Sequence, residues 1–265
     1  CIDMRECFIY NERKKEKDKR IAKMELMYTS TRDANEKVTA SQAILKGLAS
    51  DGGLFVPEEI PHLDKSVEEL AGMSYQETAY EVMKKFLTDF TEEELKSCIN
   101  KAYDSKFDTE EIAPLVNADG AYYLELFHGS TIAFKDMALS ILPHLLTTAA
   151  KKNQVKNDIV ILTATSGEMA EEVAAAGYQF SSANSINIGR LVPQIVYYVY
   201  AYAKLYANGV IAKDEKINVV VPTGNFGNIL AAFYAKNMGL PIAKLICASN
   251  ENKVLYDFFT TGTYD

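Results

Sequence analysis

The chain has 265 residues, of which 48% are hydrophobic and 24% charged, the balance of a folded globular protein with one large or two ordinary domains and not of a disordered or low-complexity chain. Lys and Arg number 28 against 36 Asp and Glu, and the resulting net charge of -8 disfavours nucleic-acid backbones and anionic membranes as partners. Cys1, Cys7, Cys98 and Cys247 form no CxxC pair, and only three histidines accompany them, so neither a disulfide framework nor a zinc spacing emerges and a reducing, cytoplasmic setting is expected.

From the N-terminus, residues 11–20 are nearly all charged and read as a solvated tail. The opening Cys-Ile-Asp-Met-Arg-Glu places charges where a signal peptide needs an apolar core, so none is predicted. Residues 1–26 are therefore expected to be a charged N-terminal extension or a remnant outside the fold, with Met24 and Met27 as candidate starts. Residues 27–120 are expected to form a mainly helical domain. Three capping boxes lie in it, Ser66 with Glu69, Ser74 with Glu77 and Thr91 with Glu94, each a hydroxyl three residues ahead of a carboxylate, and three short helices should begin there. Tyr75, Ala79, Val82, Phe86 and Leu87 form an apolar stripe at helical spacing, which belongs in a core.

After residue 113 the pattern changes. Short apolar runs at 121–127, 158–165, 216–222 and 243–249 suit buried strands, and the helix-like 228–238, closed by Gly239, turns the last two into a βαβ unit. The predicted fold class is α/β with parallel strands. The uncharged stretch 217–235 is long enough to span a bilayer, but Pro222, Gly224, Asn225, Gly227 and Asn228 at its centre exclude that.

In open α/β sheets ligands gather beyond the carboxyl ends of strands. Gly224-Asn225-Phe226-Gly227-Asn228 follows one predicted strand and opens a helix, so backbone N–H groups and the positive end of the helix dipole converge there as in a phosphate cradle. Thr165-Ser166-Gly167 closes the 158–165 strand with hydroxyls and N–H groups suited to a carboxylate or phosphate. Either alone would also read as a plain turn. Between them in kind is His128-Gly-Ser-Thr-Ile-Ala-Phe-Lys-Asp136, where Lys135 precedes the apolar segment 137–146; a lysine among apolar groups loses basicity, and an unprotonated ε-amine can join an aldehyde and later act as a base. An amine of that kind beside a phosphate cradle suggests pyridoxal phosphate.

The string Leu124-Glu-Leu-Phe-His-Gly-Ser-Thr-Ile-Ala-Phe-Lys-Asp136 resembles the cofactor-lysine motif of the threonine synthase family. Four further stretches agree in order: Tyr28-Thr-Ser-Thr-Arg32, Asp51-Gly-Gly-Leu-Phe-Val-Pro57, Phe180-Ser-Ser-Ala-Asn-Ser-Ile-Asn187 with Gly189-Arg190, and Pro222-Thr-Gly-Asn-Phe-Gly-Asn228. The resemblance covers residues 27–265 and is to the microbial, yeast-like branch. It implies a fold type II enzyme that uses pyridoxal 5'-phosphate to convert O-phospho-L-homoserine and water to L-threonine and phosphate. Lys135 would hold the cofactor and shuttle protons; Gly224, Asn225, Phe226, Gly227 and Asn228 would bind the cofactor phosphate; Thr165, Ser166 and Gly167 would receive the substrate carboxylate. Asn184, Asn187 and Arg190 would contact the substrate, with Arg190 on its phosphate, although a capped helix start explains these three equally well.

The sequence departs from that family in two places. Gly167 is followed at once by Glu168-Met-Ala-Glu-Glu-Val-Ala-Ala-Ala-Gly177, where the family continues with Asp-Thr-Gly and a long alternation of strands and helices, so a chain break near 167–168 is expected, with residues 121–265 an incomplete cofactor-binding domain. The chain also stops short of the family's C-terminal region. Another fold type II lyase or synthase and a non-catalytic homologue acting as a binding partner stay open as alternatives, as do monomer and homodimer.

Overall fold

A computed structural model describes residues 25–161, 177, 179–222, 226–251 and 253–263. Residues 1–24 of the expected N-terminal extension, the junction at 167–168 and the segment 168–176 lie outside the described residues; Leu26, the last residue of that extension, is buried and its N–H donates to Thr88 Oγ1 at 2.9 Å.

The chain opens with a three-stranded antiparallel sheet, β1 (Tyr28–Ser30), β2 (Lys37–Val38) and β3 (Phe55–Pro57), in the order β2-β1-β3. Two of the motifs meet here. Ser30 Oγ donates to both oxygens of Asp51 at 2.7 and 2.8 Å, and the Gly53 N–H donates to the same carboxylate at 2.7 Å. A Cβ on Gly53 would sit 2.0 Å from Ser30 Oγ, so the glycine is a steric requirement of this clasp. Between β2 and β3 lies α1 (Ala40–Lys46), opened by a capping box of Thr39 with Gln42 that the sequence reading passed over.

The three anticipated boxes start α2 (Val67–Ala71), α3 (Tyr75–Phe86) and α4 (Glu92–Ala102), each with the hydroxyl accepting from the third backbone N–H and the carboxylate reaching back to the cap. Tyr75, Ala79, Val82, Phe86 and Leu87 are all buried, as their spacing requires. The run at 121–127 behaves differently from expectation. It forms a hairpin of β4 (Leu115–Ala118) and β5 (Ala121–Leu124) whose residues 121–123 are exposed, because an antiparallel ribbon can pair its backbone without being covered.

Next come α5 (Asp136–Leu139), α6 (Leu142–Lys152) and β6 (Ile159–Ile161), which pairs in parallel with β7 (Gln179–Ser181). The long helix α7 (Ile188–Ala207) follows, and then the predicted βαβ unit: β8 (Ile217–Pro222), α8 (Gly227–Asn237) and β9 (Ile242–Ala248), with β8 and β9 parallel. A short helix α9 (Val254–Thr261) closes the described chain. Helix α7 organises the core: it packs on α2, α3, α5 and α8, and the Tyr75 ring lies edge-on to Tyr103 at 5.0 Å and to Tyr200 of α7 at 5.2 Å. Burial this complete makes α7 a rigid platform, and its N-terminal turn carries the Asn187 and Arg190 of the sequence motif. Among the described residues no helix is long and apolar enough to cross a membrane.

Candidate active site

The lysine motif is a closed loop. The buried Asp136 carboxylate accepts the Thr131 N–H at 2.7 Å and the Thr131 hydroxyl at 2.7 Å, while the Ile132 N–H donates to the Gly129 carbonyl at 3.0 Å. Gly129 has no room for a side chain, since its Cβ would meet Asp136 Cβ at 2.5 Å. Ile132 sits in the left-handed region at φ 57° with its side chain 76% exposed, a strained conformation for a β-branched residue that the bonds on either side hold in place. Lys135 follows as the residue capping α5. Contrary to the apolar setting expected from sequence, Lys135 is exposed, and Phe134 beside it is exposed too. The apolar segment that follows turns inward while the lysine stays on the solvent side.

His128 anchors the front of the same loop. Its Nε2 lies 2.9 Å from Glu125 Oε2 and its Nδ1 2.5 Å from Asp108 Oδ1, with the Phe127 ring stacked on it at 4.7 Å. Burial lowers the basicity of this imidazole, but the hydrogen bonds to Glu125 and Asp108 outweigh that and raise its pKa.

The second wall comes from the turn into α7. Asn187 is fully buried and its amide is spent internally: the oxygen accepts the Gly189 N–H at 2.8 Å as the helix cap, and the nitrogen donates to the carbonyls of Ile44 at 3.0 Å and Ser182 at 2.8 Å. Arg190, one turn on, is 6% exposed. One of its terminal nitrogens donates to the Ala183 carbonyl, and its Nε is buried without a hydrogen-bond partner. No described carboxylate lies within ion-pair distance of it, and burial lowers its pKa. A buried guanidinium with no counter-ion among the described residues suits an anion.

The third wall is the start of α8. Its first helical bond runs from the Leu230 N–H to the Phe226 carbonyl, so the N–H groups of residues 227–229 precede the helical ladder. Among the described residues no side chain caps this end, and a Cβ on Gly227 would meet only Ser185 Cβ, at 3.7 Å. Phe226 turns away, its ring 5.9 Å from that of Phe259.

These walls enclose one pocket, lined by Phe134, Lys135, Asn184, Ser185, Arg190, Gln194, Gly227 and Asn228. Among the described residues two cations line it and no carboxylate does. The structure thus brings Lys135, Asn184, Arg190, Gly227 and Asn228 together, leaves Phe226 and Asn187 outside the lining, and Thr165, Ser166, Gly167, Gly224 and Asn225 lie outside the described residues. Ser185, Gln194 and the Asp136 clamp were not anticipated as part of the site. Gln194 was legible in principle, as a polar residue four positions after Arg190 on an otherwise apolar helix.

Residues 27–103 match the family model for the threonine synthase N terminus. Human "Threonine synthase-like 1" is 35% identical over 313 positions, covering 88% of this chain and 42% of its own length, and threonine synthase of Schizosaccharomyces pombe is 32% identical over 312 positions, covering 91% and 60%. The chain therefore spans about half the length of the curated relatives it matches. Both alignments are longer than the 265-residue chain itself, so the relatives carry internal positions that have no counterpart here. Among solved structures, yeast threonine synthase superposes with a TM-score of 0.78 at 30% identity, covering 91% of this chain and 61% of that one. The threonine synthase of Brucella melitensis, solved with pyridoxal phosphate bound, gives 0.77 at 29%, covering 91% and 64%. Motif order, alignment and the shared fold type II architecture agree: residues 27–103 belong to the threonine synthase N-terminal family, and the chain as a whole is similar to the threonine synthases.

Proposed function

We propose that this chain carries the cofactor and substrate pocket of a pyridoxal 5'-phosphate-dependent threonine synthase, which converts O-phospho-L-homoserine and water to L-threonine and phosphate. One observation carries the proposal: the family's lysine, Lys135, shares a pocket with the buried Arg190 and the start of α8, and among the described residues no acid lines it or pairs with Arg190. An aldehyde-bearing phosphate ester needs this combination of an amine and anion-binding donors. The residues fit the cofactor.

When bound, pyridoxal phosphate supplies an aldehyde for an amine to join and a ring that takes up electron density as protons leave carbon. The chain's own residues do the rest. The N–H groups at the start of α8 would hold the cofactor phosphate, and the resemblance assigns Gly224 and Asn225 to the same role. Lys135 Nζ would hold the cofactor and would take and return protons at the substrate carbons. Arg190, with Asn184 beside it, binds the substrate phosphate; a buried guanidinium gains most from the dianion and steadies it as it leaves. Thr165, Ser166 and Gly167 receive the substrate carboxylate. Asn187 acts indirectly, since its bonds fix where Arg190 leaves α7. The Asp136–Thr131 clamp fixes where Lys135 leaves its loop.

The test is borohydride reduction of the cofactor-loaded full-length protein followed by peptide mapping, together with turnover of O-phospho-L-homoserine. Label on Lys135, lost in Lys135→Ala, and release of phosphate with threonine are expected. Label on a different lysine overturns the mechanism, and labelling without turnover of this substrate overturns the substrate assignment.

A further inference from the structure

Helix α7 is apolar on most of its surface, but Arg190, Gln194, Tyr197 and Tyr198 fall at i, i+4, i+7 and i+8 and form a polar stripe along one face. The stripe is bonded end to end. Gln194 Nε2 donates to the Arg190 carbonyl at 2.7 Å, and the Tyr197 hydroxyl lies 3.3 Å from Gln194 Oε1. Both phenols then converge on one atom of α8: the Tyr197 and Tyr198 hydroxyls approach Asn228 Oδ1 at 2.7 and 2.5 Å, and Tyr198 also reaches the Asn228 backbone carbonyl at 3.3 Å. Tyr197 is fully buried and Tyr198 nearly so, and burial holds both hydroxyls well above their ordinary pKa, so they remain donors.

We infer that Tyr197 and Tyr198 are positioning residues that set the start of α8 against Arg190 through the side-chain carbonyl of Asn228. The inference rests on the reading of this pocket as an anion site. Elsewhere α8 packs mainly through apolar contacts: Ala231, Ala232 and Ala235 are fully buried, Ile229 and Tyr234 nearly so, and the Tyr234 ring lies 6.0 Å from that of Phe86. The alanines let the helices approach closely, and apolar packing of this kind fixes sliding and rotation less sharply than directional hydrogen bonds do. Two hydrogen bonds to a single side chain in the first turn remove that freedom at the end where the N–H groups emerge. Arg190 stands seven and eight residues before the phenols on the same rigid helix, so the guanidinium and the N–H groups are held at a fixed separation. The side chain of Asn228 thus serves as an acceptor facing α7, and its backbone serves the pocket.

The test is a mutant cycle read by affinity for 4'-deoxypyridoxine 5'-phosphate, which carries the ring and phosphate without the aldehyde. Binding is followed by equilibrium dialysis well below the lowest melting midpoint of the set. Tyr197→Phe and Tyr198→Phe should each weaken binding about threefold and the pair about tenfold, the scale of one or two hydrogen bonds. Asn228→Leu should lose about as much as the double Phe variant, and adding the two Phe changes to Asn228→Leu should cost nothing further, because the partner is already gone. Asn228→Gln, which keeps a neutral amide acceptor, should bind about threefold tighter than Asn228→Leu, a rescue that a general packing role would not produce. Wild-type affinity in the double Phe variant, losses that multiply on Asn228→Leu, or an Asn228→Gln variant as weak as Asn228→Leu would overturn the inference while the pocket reading stands. Failure of the wild-type protein to bind the probe overturns both.

Discussion

His128 illustrates how much one side chain can report about the lysine loop. Held between Asp108 and Glu125, it gains two acidic partners on folding, so its folded pKa lies above the ordinary value of about 6.5. A raised folded pKa means stability that is fully present below the unfolded pKa and is lost as pH rises through the folded one. We predict that the melting temperature of wild type exceeds that of His128→Gln at about pH 6 and that the difference shrinks as pH rises past 8, measured by thermal unfolding of both proteins in parallel. A difference that stays constant over this range would mean that the two carboxylates do not hold the imidazolium. Ile132, four residues on, shows the complementary effect, in which a backbone conformation costly for its residue type is retained where Gly129, Thr131 and Asp136 determine the loop.

At the scale of elements, the start of α7 depends on Asn187 more than a helix cap ordinarily requires. Its oxygen caps the helix, and its nitrogen joins the C-terminal end of α1 to the turn carrying Ser182. Close packing leaves nothing to compensate, since a Cβ on Gly47 would come within 2.9 Å of the Ser182 nitrogen. Asn187→Asp keeps the cap but turns an oxygen toward two carbonyls, whereas Asn187→Ala loses all three bonds and leaves two buried carbonyls short of a donor. Both should destabilise by about 2 kcal/mol or more, against about 1 kcal/mol for an ordinary cap. Chemical denaturation measures this, and a loss under 1 kcal/mol in both variants would contradict the structural role assigned to the side chain.

For the whole molecule, the distribution of burial is uneven. The helical body around α7 is closely packed, yet on the parallel pair β8–β9 Val220 is 58% exposed and Ile246 41%. Parallel strands are ordinarily covered on both faces, and apolar strand positions left open favour association. We predict that the double substitution Val220→Thr, Ile246→Thr leaves the stability of the 265-residue chain within about 1 kcal/mol, because threonine keeps the β-branched shape and little burial is lost. The same variant should raise its solubility, measured by the concentration at which light scattering appears. A large loss of stability would show that this face is packed in solution.

The sequence by itself determined what depends on near neighbours. The three capping boxes join residues three apart, the Tyr75–Leu87 stripe follows the helical period, and the βαβ unit is punctuated by Gly239; all three were legible and hold to within a residue or two. The lysine motif identified the family for the same reason, since Gly129, Thr131, Lys135 and Asp136 form a single local loop. Only the tertiary structure decided what depends on cover. The apolar run at 121–127 is solvent-facing in part and Lys135 is exposed, because exposure is set by whatever else packs on a segment and not by the segment's own composition. The same contacts separated Asn187 from Arg190 within one motif, spending the first in the interior and bringing the second to the pocket wall, and they joined Tyr197 and Tyr198 to Asn228 across some 30 residues of chain.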